Sequence, residues 1–297
     1  MGNFTKSNRG LRSSMLKQQN KRKDTSVRPR KQFAQHWLRS EKVLEEIITA
    51  AELTKSDRVL EIGPGTGILT RRLLPEVESL VSIEIDRDLC KNLVKSLGDK
   101  DNFLLLQGDF LTLDLEHNLS SFSQFQQPNK VVANIPYNIT GAIIEKLLGT
   151  ISQPAKTSYE SIVLLIQKEV GERLTATPNC KAYGALSIKV QYLADCQWIC
   201  QVPAKAFYPK PKVDSAVVKL IPKIRETPVQ DPQLLENLIK LGFSSRRKML
   251  RNNFKSIIET DRLTEILKKL NLNPQCRAEN ISLDNWIQLA NLLREES

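Results

Sequence analysis

The chain has 297 residues, 40% of them hydrophobic and 26% charged, and a formal net charge of +11. That length exceeds what one typical core needs and predicts a large domain with a smaller one beside it. No apolar run approaches the length that crosses a bilayer, which argues against a membrane protein. The five cysteines, Cys90, Cys180, Cys196, Cys200 and Cys276, lack paired metal-ligand spacing and read as reduced thiols of a cytosolic protein.

The charge is uneven. Residues 1–31 hold ten Lys or Arg against Asp24 alone, and residues 205–255 hold twelve against four acids, so the remainder is net acidic. Two basic regions suit a polyanionic partner, because each neutralised phosphate releases a counterion. Residues 1–26, rich in Ser, Asn and Gln, read as a basic, disordered tail. Their composition overlaps with organelle transit peptides, but no amphipathic apolar face accompanies it.

From residue 40 the chain alternates helix-like and strand-like segments, the pattern of a parallel sheet flanked by helices. Ser40–Leu53 has apolar residues at helical spacing (Val43, Leu44, Ile47, Ile48, Ala51) with Ser40 as N-cap. RVLEIG, VSIEI, NFLLLQGD, KVVAN and SIVLLIQ read as five strands, separated by helices over 67–74, 87–97 and 140–148. After residue 184, LSIKVQYL, QWICQV and SAVVKLI read as antiparallel strands closing a sheet of about seven. Pro228 and Asp231-Pro232 punctuate the change to a helical end, with helices over 232–242, 245–257, 261–270 and 283–294, the last capped by Ser282.

The chemistry sits at strand ends. The first strand runs into EIGPGTG, where Gly63, Gly65 and Gly67 permit a tight turn and close backbone approach by a ligand. The spacing is GxGxG, not the GxGxxG that delivers a pyrophosphate to a helix, so a nucleoside without phosphates fits better. Glu84 ends the second strand, placed for ribose hydroxyls, and Asp109 follows the third, placed for an adenine amino group. Each alone also fits an ordinary turn or cap; three in succession at the carboxyl ends of parallel strands favour S-adenosylmethionine over NAD.

The fourth strand ends in Asn134, Ile135, Pro136 and Tyr137. The Asn134 side-chain carbonyl and the Ile135 main-chain carbonyl form two acceptors for one amino group, Pro136 stiffens the turn, and Tyr137 offers a flat face. Both N–H groups of an aromatic amine held this way leave its lone pair free for in-line attack on a methyl group, so positioning and electrostatics carry the reaction. A strand-terminating turn with a capping Asn is the plainer alternative.

RKQFAQHWL, EIGPGTG, IEIDRDL, GDFL, NIPYNI, IQKEVGERL, FYPKPKVDSAVV and FSSRRKMLRN occur in order from about residue 28 to 295. Together they resemble the ribosomal RNA small-subunit adenine dimethyltransferase family, of the KsgA type. The resemblance implies a Rossmann-like methyltransferase domain over 27–227 and a helical RNA-binding domain over 228–297. It implies dimethylation of two adjacent adenosines in a hairpin near the 3′ end of 16S rRNA, within the assembling 30S subunit. It further implies S-adenosylmethionine as methyl donor, no metal, and a cytoplasmic monomer. The family's cofactor positions fall on His36, Leu38, Gly63, Glu84, Asp109 and Asn134, and the aromatic pair that sandwiches the target base falls on Tyr137 and Phe207. Where the family usually has Gly-Gln-Asn-Phe-Leu, this chain has Ala34, Gln35, His36, Trp37 and Leu38.

For RNA contact, Arg246, Arg247, Lys248, Arg251 and Lys255 fall within about a helix and a half, with 247, 251 and 255 on one face. Lys205, Lys210 and Lys212 join them near Phe207. A solvated helix face is the alternative. Two other functions stay open: a large-subunit rRNA methyltransferase of the antibiotic-resistance type, and an RNA-binding assembly factor without catalysis.

Overall fold

The computed structural model describes residues 35–157 and 159–295, so the expected basic tail over 1–26 lies outside the described residues. The described chain opens with β1 (Trp37–Leu38) and α1 (Glu41–Ala51). Helix α1 buries Val43, Leu44, Ile47, Ala50 and Ala51 and stops at Glu52, whose φ of 48° lies in the left-handed region. Ser40 stands at the N-cap in extended conformation, and its carbonyl accepts from the Leu44 amide at 3.1 Å.

The alternating region follows the expected rhythm: β2 (Arg58–Ile62), α2 (Thr70–Leu73), β3 (Ser79–Glu84), α3 (Arg87–Leu97), β4 (Phe103–Gln107), α4 (Leu115–Leu119), β5 (Lys130–Asn134), α5 (Thr140–Leu148), β6 (Ser161–Gln167) and α6 (Lys168–Leu174). Helix α3 starts at Asp86, whose carboxylate accepts from the Asp88 amide at 2.9 Å. Then come α7 (Ala185–Leu193), β7 (Ala194–Val202), β8 (Phe207–Tyr208) and β9 (Ser215–Pro222).

Strands β2 to β7 and β9 form a seven-stranded sheet in the order β4-β3-β2-β5-β6-β9-β7. Pairings among β2 to β6 are parallel, whereas β9 runs antiparallel to both β6 and β7. Consecutive strand residues point to opposite faces. Thus Leu60, Val81, Val131 and Ile162 enter one apolar cluster, and Val59, Leu80, Val132 and Val163 enter the other, under α1 and α2. Strands β1 and β8 form a separate antiparallel ribbon pairing Trp37 with Tyr208 and Leu38 with Phe207.

One expectation is corrected: LSIKVQYL is α7, not a strand. Its alternation would put Ser187, Lys189 and Gln191 on a wet face, yet Ser187 is fully buried and its hydroxyl accepts from the Gly184 amide at 3.0 Å to start the helix. Both sides of the segment are covered, so period-two patterning carries no information there.

The helical end comprises α8 (Pro232–Gly242), α9 (Leu250–Phe254), α10 (Thr260–Lys269) and α11 (Leu283–Glu295). Asp231 caps α8 by accepting from Leu234 N at 2.9 Å, and the Ser282 hydroxyl accepts from Asn285 N at 3.2 Å. The expected helix over 245–257 is shorter, since residues 243–247 are turn. Asn253, buried under this turn, donates to Gly242 O at 2.6 Å and Ser245 O at 3.3 Å, diverting the chain before α9 begins. The shared face of 247, 251 and 255 therefore does not form as a helix stripe. Trp286, Leu235, Leu238 and Phe254 belong to the same apolar cluster as one face of the sheet.

Gly242 is set by packing. A Cβ there would lie 2.6 Å from Cη2 of the fully buried Trp286. Gly242→Ala is expected to lower stability by about 1–3 kcal/mol through overpacking, read as a shifted denaturant midpoint at unchanged slope.

Candidate active site

The strand order lines up the carboxyl ends of β4, β3, β2 and β5. Asp109, Glu84, the Gly63–Gly67 loop and Asn134, scattered in sequence, thereby share one edge of a cleft. This is where β2 sends its neighbours to opposite sides, the position at which open parallel sheets hold ligands.

All three loop glycines have positive φ, at 69°, 59° and 78° for Gly63, Gly65 and Gly67. Gly63 and Gly65 face the cleft, while the steric requirement is sharpest at Gly67, where a Cβ would lie 2.7 Å from Leu93 Cδ2. A Cβ on Gly63 would approach the Asn134 carbonyl oxygen to 3.8 Å, and one on Gly65 would reach Cδ1 of Trp37 at 3.4 Å. Arg71 braces the loop by donating to Thr66 O at 2.9 Å and Gly67 O at 2.7 Å.

Glu84 is buried, and its two oxygens accept from Gly65 N at 3.0 Å and Asp86 N at 2.9 Å. Each carboxylate oxygen retains capacity for a further donor. Burial raises the Glu84 carboxyl above its ordinary value. Behind it, Glu61 is 1% exposed; its Oε2 accepts from Thr70 Oγ1 at 2.8 Å and Ser82 Oγ at 2.6 Å. Burial pushes this carboxyl up to about 7, and Oε1 has no hydrogen-bond partner among the described residues. The Asp109 carboxylate accepts from Leu111 N at 2.9 Å while lining the cleft.

At the end of β5, Asn134 Nδ2 donates to the His36 carbonyl at 3.3 Å. That donor being engaged with β1's lead-in, Oδ1 is the part of the amide left to accept. The next residue is anchored by Ile135 N donating to Leu165 O at 3.3 Å, and its own carbonyl has no donor among the described residues. The Pro136 carbonyl, by contrast, accepts from Thr140 Oγ1 at 3.2 Å. Tyr137 is pinned at its tip, with its hydroxyl 2.6 Å from Ser215 Oγ.

His36 stacks on Tyr137 with ring centroids 5.6 Å apart and planes 23° apart. Its Nδ1 lies 2.7 Å from Pro209 O and must donate, since a carbonyl only accepts. His36 therefore reaches the site through its backbone carbonyl and its ring face. Leu38 is buried in the cleft wall.

Phe207 is corrected. It is 5% exposed, packs in the cluster with Leu38, Val43 and Val202, and does not line the cleft. Its pairing opposite Leu38 turns the ring toward α1, leaving His36 as the ring that meets Tyr137.

The basic residues divide. Lys205, Lys210, Lys212, Arg247, Lys248 and Lys255 are exposed, and Arg251 is half-buried on α9. Arg246 is engaged within the protein, its guanidinium donating to Lys181 O at 2.8 Å, Tyr183 O at 2.9 Å and the Glu279 carboxylate at 3.2 Å. That side chain joins the helical end to the segment before α7 while remaining 45% exposed.

The cleft residues not anticipated include Trp37, Glu61, Ile85 and Phe110. Ile85, 45% exposed directly after Glu84, was detectable as an apolar residue past a strand's end.

A family model described as ribosomal RNA adenine dimethylase matches residues 27–295. The chain belongs to the ribosomal RNA adenine dimethylase family. The chain is 67% identical over 270 residues to the ribosomal RNA small subunit methyltransferase A of Nostoc sp., covering 91% of this chain and all of that relative. It is 54% identical over 276 residues to the protein of the same name from Synechocystis sp., covering 90% and 97%. Among solved structures it resembles a dimethyladenosine transferase from Plasmodium falciparum, with a TM-score of 0.73, 28% identity and coverage of 88% and 98%. The 23S rRNA methyltransferase ErmE matches with a TM-score of 0.68, 26% identity and coverage of 87% and 99%. The chain is thus an RNA methyltransferase with the Rossmann-like fold.

The raised Glu61 carboxyl has a consequence for stability. In the folded state it holds a proton up to about pH 7, whereas its ordinary value is 4.5. Between these values the native state binds more protons than the unfolded chain, so this group's contribution to stability falls as pH rises and is fully lost above the upper value. Thermal unfolding across this interval is expected to show that decline in the wild type and not in Glu61→Gln; equal pH slopes would contradict it.

Proposed function

We propose that the protein transfers methyl groups from S-adenosylmethionine to the exocyclic amines of two adjacent adenosines in a hairpin near the 3′ end of 16S rRNA, each becoming dimethylated. One observation carries this reading: Asn134 donates one of its N–H groups to His36 O, which fixes its amide plane, so that its Oδ1 and the Ile135 carbonyl are the acceptors beside Tyr137.

The residues present fit the donor. Gly63 and Gly65 leave the backbone open, Glu84 keeps acceptor capacity for two ribose hydroxyls, and Asp109 stands one strand further for the adenine amino group. Glu84 and Asp109 also bring carboxyl groups to this cleft within a basic protein, which suits a ligand whose methyl sits on a cationic sulfur. When bound, the donor supplies an electrophilic methyl group, leaving a neutral thioether and a methylated amine that sheds one proton to solvent.

The chain's own residues do the rest. Two carbonyl acceptors take both N–H groups of the target amine, turning its lone pair away from the ring and toward the donor. Tyr137, fixed by Ser215 at its hydroxyl and by His36 at its face, sets the plane of the base. No side-chain base is needed for attack, because the proton leaves after the new C–N bond forms.

Outside the cleft, Arg247, Lys248 and Arg251 on the helical unit over 228–297, together with Lys205, Lys210 and Lys212 on the unit over 27–227, would contact phosphates. On this reading the protein works as a monomer on small-subunit rRNA in the assembling 30S subunit, in the cytoplasm. The high identity to relatives named for the small subunit favours it over the large-subunit reading.

Labelled methyl transfer to unmethylated small and large subunits, followed by nucleoside analysis, tests the reading: dimethyladenosine in the small particle supports it, and label only in the large particle, or in neither, overturns it. Asn134→Ala is expected to lower the transfer rate at least about a hundredfold while RNA affinity stays within twofold, about the measurement's scatter. In filter binding, Arg247→Ala with Lys248→Ala should make the plot of log affinity against log salt shallower by about 1 per side chain.

A further inference from the structure

Beside the cleft, the β1–β8 ribbon carries a feature the methyl-transfer chemistry does not use. The Arg39 guanidinium lies over the Tyr208 ring, 4.2 Å from its centroid. Tyr208 is nonetheless 48% exposed, and Arg39 is exposed too. We propose that Tyr208 and Arg39 form a second stacking platform that receives the unpaired nucleotide adjoining the target adenosine. This rests on the RNA methyl-transfer reading above and extends it to a residue pair outside the donor cleft.

Isolated exposed aromatics are common on protein surfaces. Three observations set this one apart. The first is rigidity: Tyr208 pairs with Trp37 in the ribbon, and Arg39 N donates to Ala206 O at 2.8 Å. The second is its link to the site. Pro209, the next residue, accepts from His36, and His36 stacks on Tyr137, so the Tyr208 ring is held at a fixed offset from the ring that orients the target base. The third is charge: Lys205, Lys210 and Lys212, within four residues of it in the chain, are exposed, while Asp214 is engaged with Gln201 Nε2 at 2.9 Å and Ala204 N at 2.9 Å.

An aromatic face backed by a guanidinium, with exposed lysines close by in the chain, matches what single-stranded RNA needs. Bases stack on tyrosine and on guanidinium planes, and ammonium groups follow the phosphates. Extruding one adenosine into the cleft also strips its neighbour of a stacking partner. A second platform at fixed offset would replace that lost contact and set which of two adjacent adenosines enters the cleft.

The test uses the full-length protein, unmethylated small subunits, and a short RNA hairpin with 2-aminopurine beside the target adenosine. Binding should quench the probe with wild type and with Tyr208→Phe, but not with Tyr208→Ala. For Tyr208→Ala, KM for the subunit should rise about tenfold, the scale of one lost stacking contact, with the salt dependence of binding unchanged. Lys210→Ala should instead make that dependence shallower. If the wild type methylates small subunits while Tyr208→Ala keeps both quenching and KM, the platform is overturned and the methyl-transfer reading stands. A loss with Tyr208→Phe equal to that with Tyr208→Ala would also overturn it, since the ring would not be what matters. Failure of the wild type to label small subunits would overturn the underlying reading.

Discussion

The site depends on one hydrogen bond between segments 98 residues apart, from Asn134 Nδ2 to the His36 carbonyl. A primary amide carries a donor and an acceptor on one rigid plane, so engaging the donor fixes where the acceptor points. The bond thereby does two things at once. It docks the short β1–β8 ribbon against the carboxyl end of β5, and it orients the amide plane whose Oδ1 is the group able to accept. An amine substrate requires that orientation.

Around this bond the sheet acts as a collector. Because β2 sits between β3 and β5, residues from four separate strand ends converge without any of them being close in sequence. Glu84 is tolerated there because its oxygens meet donors, the Gly65 and Asp86 amides, whereas Glu61 meets two hydroxyls on Oε2 alone and keeps its proton up to about pH 7. Burying a carboxylate is costly unless such partners are supplied. The same contacts shape the glycine loop, since Gly65 N is aimed by the Glu84 side chain.

Much of this was legible in the sequence. The five parallel strands, the glycine loop, Glu84, Asp109 and Asn134 could be read because their signals are local: a run of β-branched and aliphatic residues, then glycine or a carboxylate at its end. What failed depended on tertiary context. LSIKVQYL alternates like a strand, yet both of its sides are buried, so only its neighbours decide that it is a helix. Phe207 resembles a stacking residue by motif, but its register opposite Leu38 turns it into the core. That the exposed Arg246 guanidinium also meets three acceptors from distant segments was not readable from its basic run. Arg39 over Tyr208 could not be read at all, because it arises from a ribbon joining residues far apart in the chain.

The helical end shares its apolar interior with one face of the sheet, and Tyr183 reaches across to donate to Ile281 O at 3.0 Å. Such a junction behaves as continuous filling and not as a hinge, because removing either side would leave large greasy surfaces bare to water. Chimeras that exchange this terminal unit between relatives must consequently carry over its inward-facing Leu235, Leu238 and Trp286, whatever outward charges they are built to vary.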